Sequence, residues 1–198
     1  QPVVGPCDPA TDPDCGIVDP DASCSLSGSA GEEVRCDVEL VRASNTDGRP
    51  VTGSFSVSYD ATRMKLVRFE SQECVLDECT PLNIPEVPMA TGHGVTLAPA
   101  TAEEWNGSGT IGFSAPVDNP NAVPLTEVAL DENGTPDGAA EFVSAVFVML
   151  NEVAEDQAAS VSLGQLEFSG AEGTALATAL DENTIIVSGA EQCPFAPG

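Results

Sequence analysis

His93 is the chain's only histidine, and it stands between two glycines in Thr91-Gly92-His93-Gly94. A Ser-His-acid hydrolase needs a base beside a nucleophile held on a sharp strand-to-helix turn, and no Gly-x-Ser-x-Gly is present. His93 therefore reads as a loop residue. Glu103 and Glu104 lie beside the sole tryptophan, Trp105, a combination that evokes sugar chemistry. Consecutive strand residues point to opposite faces, so as strand residues the two carboxylates could not flank one glycosidic bond. Asp131, Asn133, Thr135 and Asp137 set oxygen ligands at alternate positions of a Gly-containing stretch. That partly imitates the EF-hand loop without its distal glutamate, which makes calcium the one cofactor suggested; the same text also spells an acidic turn. With no acid-base pair in view, no enzymatic activity is expected.

Sulfur is more informative. Of the seven cysteines, Cys7 and Cys15, Cys24 and Cys36, and Cys74 and Cys79 fall into short local pairs, leaving Cys193 over. The twin Cys-x-x-Cys spacing of a zinc site is absent, so disulfides are predicted, and with them an oxidising, extracellular or cell-surface location. The chain starts at Gln1 without a leader-like segment, as expected if a signal peptide has been removed, and no apolar run reaches membrane-spanning length. Asn106-Gly107-Ser108 and Asn133-Gly134-Thr135 are candidate glycan acceptors.

Charge excludes whole classes of partner. Six Lys and Arg against 32 Asp and Glu give a formal charge of −26, which repels nucleic acid and anionic membranes. The apolar fraction of 41% is that of a folded protein. All the bases (Arg35, Arg42, Arg49, Arg63, Lys65, Arg68) lie between positions 35 and 68, so a basic band crosses an acidic body.

The elements that must position these residues are strands. Residues 1–22, rich in proline and aspartate, read as an extended arm. From there "EVRCDVEL" alternates, with Val34, Cys36, Val38 and Leu40 on one face, and "SFSVSY" sends Phe55, Val57 and Tyr59 one way. The stretch from Glu70 to Met89, with three prolines, reads as an irregular surface excursion. "GVTLAP", "GTIGFSAP", "AEFVSAVFVML", "SVSLGQLEFSG" and "NTIIVSG" are further strands, the third apolar on both sides as in a sheet interior. Only short pieces such as "NEVAEDQAA" and "GTALATAL" suit a helix. The expected fold is all-β: a jelly-roll-like sandwich of two sheets and about nine strands over residues 23–189, with a tail at 190–198.

The succession "GEEVRCDVEL", "GSFSVSYDATRMKLVRF", "AVFVML", "SVSLGQLEFSGAEG" and "NTIIV" resembles the cohesin family and its carbohydrate-binding-module relatives. In that family a strand ending in Tyr-Asp is soon followed by a Leu-containing strand, and a late pair of long strands precedes a valine-rich one. The resemblance implies a nine-stranded jelly roll whose first and last strands lie near each other. At its corner Tyr59 would close one end of the core while Asp60 accepts backbone N–H groups.

These readings converge on a secreted or surface-displayed protein that binds another protein, including copies of itself. Either the arm folds back on its own sandwich, tied by Cys7, Cys15 and Cys193, or Gln1, Pro2, Val3 and Val4, with the segment behind them, lie along a neighbour's exposed strand, a head-to-tail contact that builds a filament unless the rotation closes. The acidic arm would meet Arg35, Arg63, Lys65 and Arg68. The alternative is a carbohydrate-binding module that stacks a polysaccharide on Trp105 and Tyr59.

Overall fold

Strict alternation of apolar and small polar residues produces most of the molecule, because a period of two buries one face of every strand. The computed structural model describes residues 22–42, 50–75, 78–89, 91–116, 125, 140–170 and 173–188. Its strands are β1 (Cys24–Leu26), β2 (Glu33–Arg42), β3 (Thr52–Tyr59), β4 (Met64–Val75), β5 (Glu78–Ile84) and β6 (Thr96–Ala98). After a short helix, α1 (Ala102–Ser108), come β7 (Thr110–Ala115), β8 (Ala140–Met149), β9 (Ala159–Ser169), β10 (Ala177–Asp181) and β11 (Thr184–Ser188). A five-stranded sheet of order β1-β9-β3-β7-β6 packs on a six-stranded sheet of order β10-β11-β2-β8-β4-β5. The expected sandwich is present, with eleven strands among the described residues rather than nine. The last strand, β11, runs parallel to β2, the second strand, while the first, β1, pairs with β9 in the other sheet.

Phenylalanines fill the space between the sheets. Phe55 of β3 stacks on Phe113 of β7 with centroids 4.8 Å apart, and Phe69 of β4 meets Phe113 edge-on at 5.4 Å. Phe142 of β8 leans on Phe55, Phe113 and Phe168. Such pairs add about 0.5–1.5 kcal/mol each beyond the burial of their area. The Cys24–Cys36 disulfide, Cα–Cα 5.7 Å, ties β1 in one sheet to β2 in the other.

Four expectations change. The stretch from Glu70 to Met89 is mostly a regular hairpin of β4 and β5, whose register sets Cys74 opposite Cys79. Pro81 misled the reading, yet β5 is an edge strand, where a residue without an N–H is tolerated. Glu103 and Glu104 belong to a helix, not a strand. Thr101 caps it: its hydroxyl accepts the Glu104 N–H at 3.4 Å and donates to Glu104 Oε2 at 2.7 Å. The second half of the helix-compatible "GTALATAL" enters β10, because the edge of β11 offers it a ladder. "NEVAEDQAA" keeps only a single 3₁₀ turn, Glu155–Gln157.

Candidate functional site

Alternation turns every second residue of the five-stranded sheet outward. On β3 these are Ser54, Ser56 and Ser58, on β7 Thr110, Gly112 and Ser114, and on β9 Ser160, Ser162 and Gly164. Register aligns them in rows across the strands. One row runs Ser162, Ser58, Thr110; the next Gly164, Ser56, Gly112, Ala98; a third Glu167, Ser54, Ser114, Thr96. The middle row is the lowest, so hydroxyl-bearing rows border a shallow trough. Within these three rows Glu167 is the one charged residue, and it stands at the margin.

Two of the glycines in the trough are not required by the fold. A Cβ at Gly112 would meet the Ala98 carbonyl at 3.5 Å, and one at Gly164 the Ser56 hydroxyl at 3.4 Å, both ordinary contacts. Gly53 differs: a Cβ there would come within 2.4 Å of the Phe168 ring, so packing demands glycine. Glycine inside a strand costs about 0.5–1 kcal/mol relative to alanine. Where packing does not explain it, it marks a place where another backbone or ligand comes close. Chemically the face offers hydroxyls that both donate and accept, and no charge that docking would have to strip of water.

The outer face of the six-stranded sheet has the opposite chemistry. Arg35 on β2 and Arg68 on β4 flank Val146 of β8 in register. Val146 is fully buried although it faces away from the sandwich interior, which fits shelter beneath the arginine stems. Glu70, 5% exposed, receives Arg35 at 2.5 Å and Arg68 Nε at 2.6 Å, while Arg68 also grips Glu33 with two bonds of 2.9 and 2.8 Å. The Arg68 bond holds the Glu33 carboxyl below the usual range, and bonds to Glu33 and Glu70 push the Arg68 pKa up. Arg63 donates to the Gln157 carbonyl. The basic band thus spends Arg35, Arg63 and Arg68 on internal partners; Lys65 is exposed.

The Tyr59-Asp60 corner behaves as the sequence suggested. Asp60 Oδ1 accepts the Thr62 hydroxyl at 2.6 Å and the Thr62 N–H at 2.9 Å, which lowers its pKa, the hydroxyl bond first. Tyr59 is buried, which pushes its hydroxyl up to about 12. That hydroxyl donates to Asn106 Oδ1 at 2.7 Å. Asn106 in turn accepts from the Leu66 N–H at 2.9 Å and donates to the Leu66 and Ala102 carbonyls at 3.1 and 3.0 Å. Its amide imitates a strand partner for β4 and is the pin of this corner, so the amide nitrogen of the folded protein is not presented for a glycan.

The remaining sequence candidates separate. His93 is a loop residue but fully buried, bonded to the Thr91 hydroxyl at 2.9 Å and the Val51 carbonyl at 2.7 Å. Trp105 and Tyr59 are core residues, so neither is a stacking platform, and the exposed large hydrophobics among the described residues (Val67, Val87, Leu150, Leu180) include no aromatic. The Gln1–Val4 contact, the Cys7 and Cys15 pair, Cys193 and the Asp131, Asn133 and Asp137 loop lie outside the described residues; so do the side chains of Cys74 and Cys79. Among the described residues no His, Cys, Asp and Glu cluster could hold a metal, and no helix is long and apolar enough to cross a membrane. The Ser/Gly rows went unread because attention to alternation rests on its apolar half. The signal was in the other half of "SFSVSY", "TIGFSA" and "SVSLGQ", where every outward slot is small and uncharged.

No family model matches the sequence, and no curated protein does. Solved structures similar to it include cohesins, the family whose resemblance the strand order carries. The sixth cohesin of scaffoldin B from Acetivibrio cellulolyticus, in complex with a Cel5 dockerin mutant, is 16% identical over 83% of this chain and 94% of its own, with a TM-score of 0.49. The seventh ScaB type I cohesin of Pseudobacteroides cellulosolvens is 15% identical over 86% of this chain and 91% of its own, at 0.44. At such identities and scores the likeness is one of chain path and says nothing of what this surface binds.

Proposed function

We propose that the chain is a non-catalytic protein-binding module, displayed outside the cell, which docks a protein partner on the outer face of its five-stranded sheet. The observation that carries this reading is the uncharged trough through Gly164, Ser56 and Gly112 on a chain of charge −26. Surfaces that only meet water carry charge on about a quarter to a third of their residues. A face that forgoes charge and keeps glycines the fold does not need suits close approach by another chain. The Cys24–Cys36 bridge supports an oxidising compartment. A polysaccharide reading loses both of its stacking residues to the core.

The finer form of this proposal, head-to-tail assembly through residues 1–22, has an electrostatic obstacle: Glu33 and Glu70 already occupy the arginines the arm would seek. Light scattering of the full chain and of a chain lacking residues 1–21 tests it. Unchanged assembly excludes the arm as linker.

For the sheet face, the wild-type chain and the Gly112→Arg and Ser56→Arg variants are immobilised and exposed to the extracellular proteins of the source organism. A protein retained by the wild type, released by both variants and bound one to one in calorimetry supports the reading. Equal retention by all three refutes it.

A further inference from the structure

Every open sheet has edges, and folded proteins blunt them with prolines, charge or shortness. Among the described residues three of the four edges here are blunted. β1 and β6 are three residues long, and β5 carries Pro81 within the strand. β10 is different. Ala177-Thr178-Ala179-Leu180-Asp181 ends the six-stranded sheet with no proline and a single charge, and Leu180, 37% exposed, is one of the few large apolar side chains on the surface.

β10 and β11 form a hairpin across Glu182 and Asn183, with Asp181 paired to Thr184. In such a hairpin the pair beside the turn exchanges hydrogen bonds and the pattern alternates from there. Asp181, Ala179 and Ala177 therefore bond to β11, while Thr178 and Leu180 aim their N–H and C=O at the free edge.

We propose that this edge pairs with the β10 edge of a second copy, antiparallel about a two-fold axis through Ala179, joining two six-stranded sheets into one. The self-complementary order of the outward groups selects this occupant. About that axis Thr178 bonds to Leu180 of the other copy, and Leu180 to its Thr178, so the outward donors and acceptors match. Ala179 meets Ala179, small enough for close approach. Asp181 falls opposite the second copy's Ala177, and the two Asp181 carboxylates stand about 13 Å apart along the strand, beyond a Debye length at physiological salt. Each exposed Leu180 side chain gains the other copy's Thr178 as a neighbour on the same sheet face. The contact is isologous and closes on itself, giving a dimer rather than a fibre. It leaves the five-stranded sheet open, so it is independent of the partner-binding reading.

Because each copy carries −26, the dimer must strengthen with salt. Sedimentation equilibrium of the full chain at about 0.1 M and about 1 M NaCl is expected to show a monomer-dimer equilibrium that shifts at least tenfold toward dimer at the higher salt. Leu180→Pro removes an outward N–H without touching the β11 ladder, and Ala179→Lys sets two ammonium groups face to face while lowering the net repulsion of the chain. Both are expected to remain monomeric at high salt. Should Leu180→Pro fail to fold, Ala179→Lys decides alone, with an unchanged thermal transition as its control. A chain monomeric at both salts, a dimer that survives Ala179→Lys, or Thr178 and Leu180 amides already protected from hydrogen exchange in the monomer would each overturn the proposal.

Discussion

The two outer faces of the sandwich solve one problem in opposite ways. Each must keep a plane of backbone and short side chains compatible with water. The six-stranded sheet does so with long ionic side chains that satisfy one another: Arg35 and Arg68 converge on Glu70, and Arg68 reaches Glu33. The five-stranded sheet does so with serine, threonine and glycine, uncharged and short, with Ser58 and Thr110 sharing a 3.4 Å hydrogen bond across the strands. Ionic groups committed to each other have little left to offer a partner, whereas hydroxyls on a flat floor exchange water for another protein at small cost. The difference teaches that Arg35 and Arg68, part of the most visible charge feature of the sequence, are committed to partners within the fold, while the proposed contact falls on the featureless face.

The largest effect expected from breaking this contrast is on stability. Glu70→Gln takes the charge from the buried carboxylate on which exposed Arg35 and part-buried Arg68 converge, and should cost about 2–4 kcal/mol by urea denaturation. Ser56→Gln, which sets the same uncharged amide on the outer face of the other sheet, should stay within about 0.5 kcal/mol. Comparable losses at the two positions would show that the faces are not energetically distinct. Next in size is the effect on binding: Gly112→Arg should weaken the partner roughly 30-fold or more while moving stability by less than about 1 kcal/mol. A binding loss matched by unfolding would return Gly112 to a purely structural role.

How much of this contrast was legible in the sequence depends on which physical rule governs each part. The sandwich was legible because burial of alternate residues is local: Phe55, Val57 and Tyr59 face the core as their spacing demands. So was the Asp60 turn, a matter of residues two apart. Glu70 was not legible as the hub of the ionic face, since Arg35 and Glu70 meet only when β2 and β4 flank β8, a register set by chain topology. Asn106 was hidden in the same way, its amide filling a gap beside Leu66, forty residues earlier. Trp105 entered only the alternative reading, as a stacking residue, because one aromatic among carboxylates resembles a sugar platform until helix α1 turns it inward.

Salt separates two routes of association by a smaller margin. A partner of small net charge seated on the hydroxyl rows meets no formal charge apart from Glu167, so its affinity should change less than about threefold between 0.05 and 0.5 M NaCl. An acidic arm bound at Lys65 and the arginines would weaken far more over that range, because its attraction is screened. Calorimetry at the two salts distinguishes them, and a steep loss of affinity would move the contact from the uncharged sheet to the charged one.

The smallest effect is on the acid side and touches one face only. Arg68 holds the folded Glu33 carboxyl below its ordinary range. A group with a depressed folded pKa contributes stability that is present above its unfolded pKa, near 4.5 for this carboxyl, and is lost as pH falls through the folded value. Glu33 is largely solvated, so its share is small and shows best as a difference: below about pH 4.5 wild-type stability should decline more steeply than that of Glu33→Gln, while the two curves run parallel near neutrality. Hydrogen exchange read over the same interval should show β2 and β4 loosening before β3 and β7, because protonating Glu33 frees Arg68 beside a buried Val146, whereas the serine rows hold nothing that titrates between their margins. Simultaneous loosening of both sheets would mean that the ionic face does not fail by itself, and that the contrast between the two surfaces is one of composition without mechanical consequence.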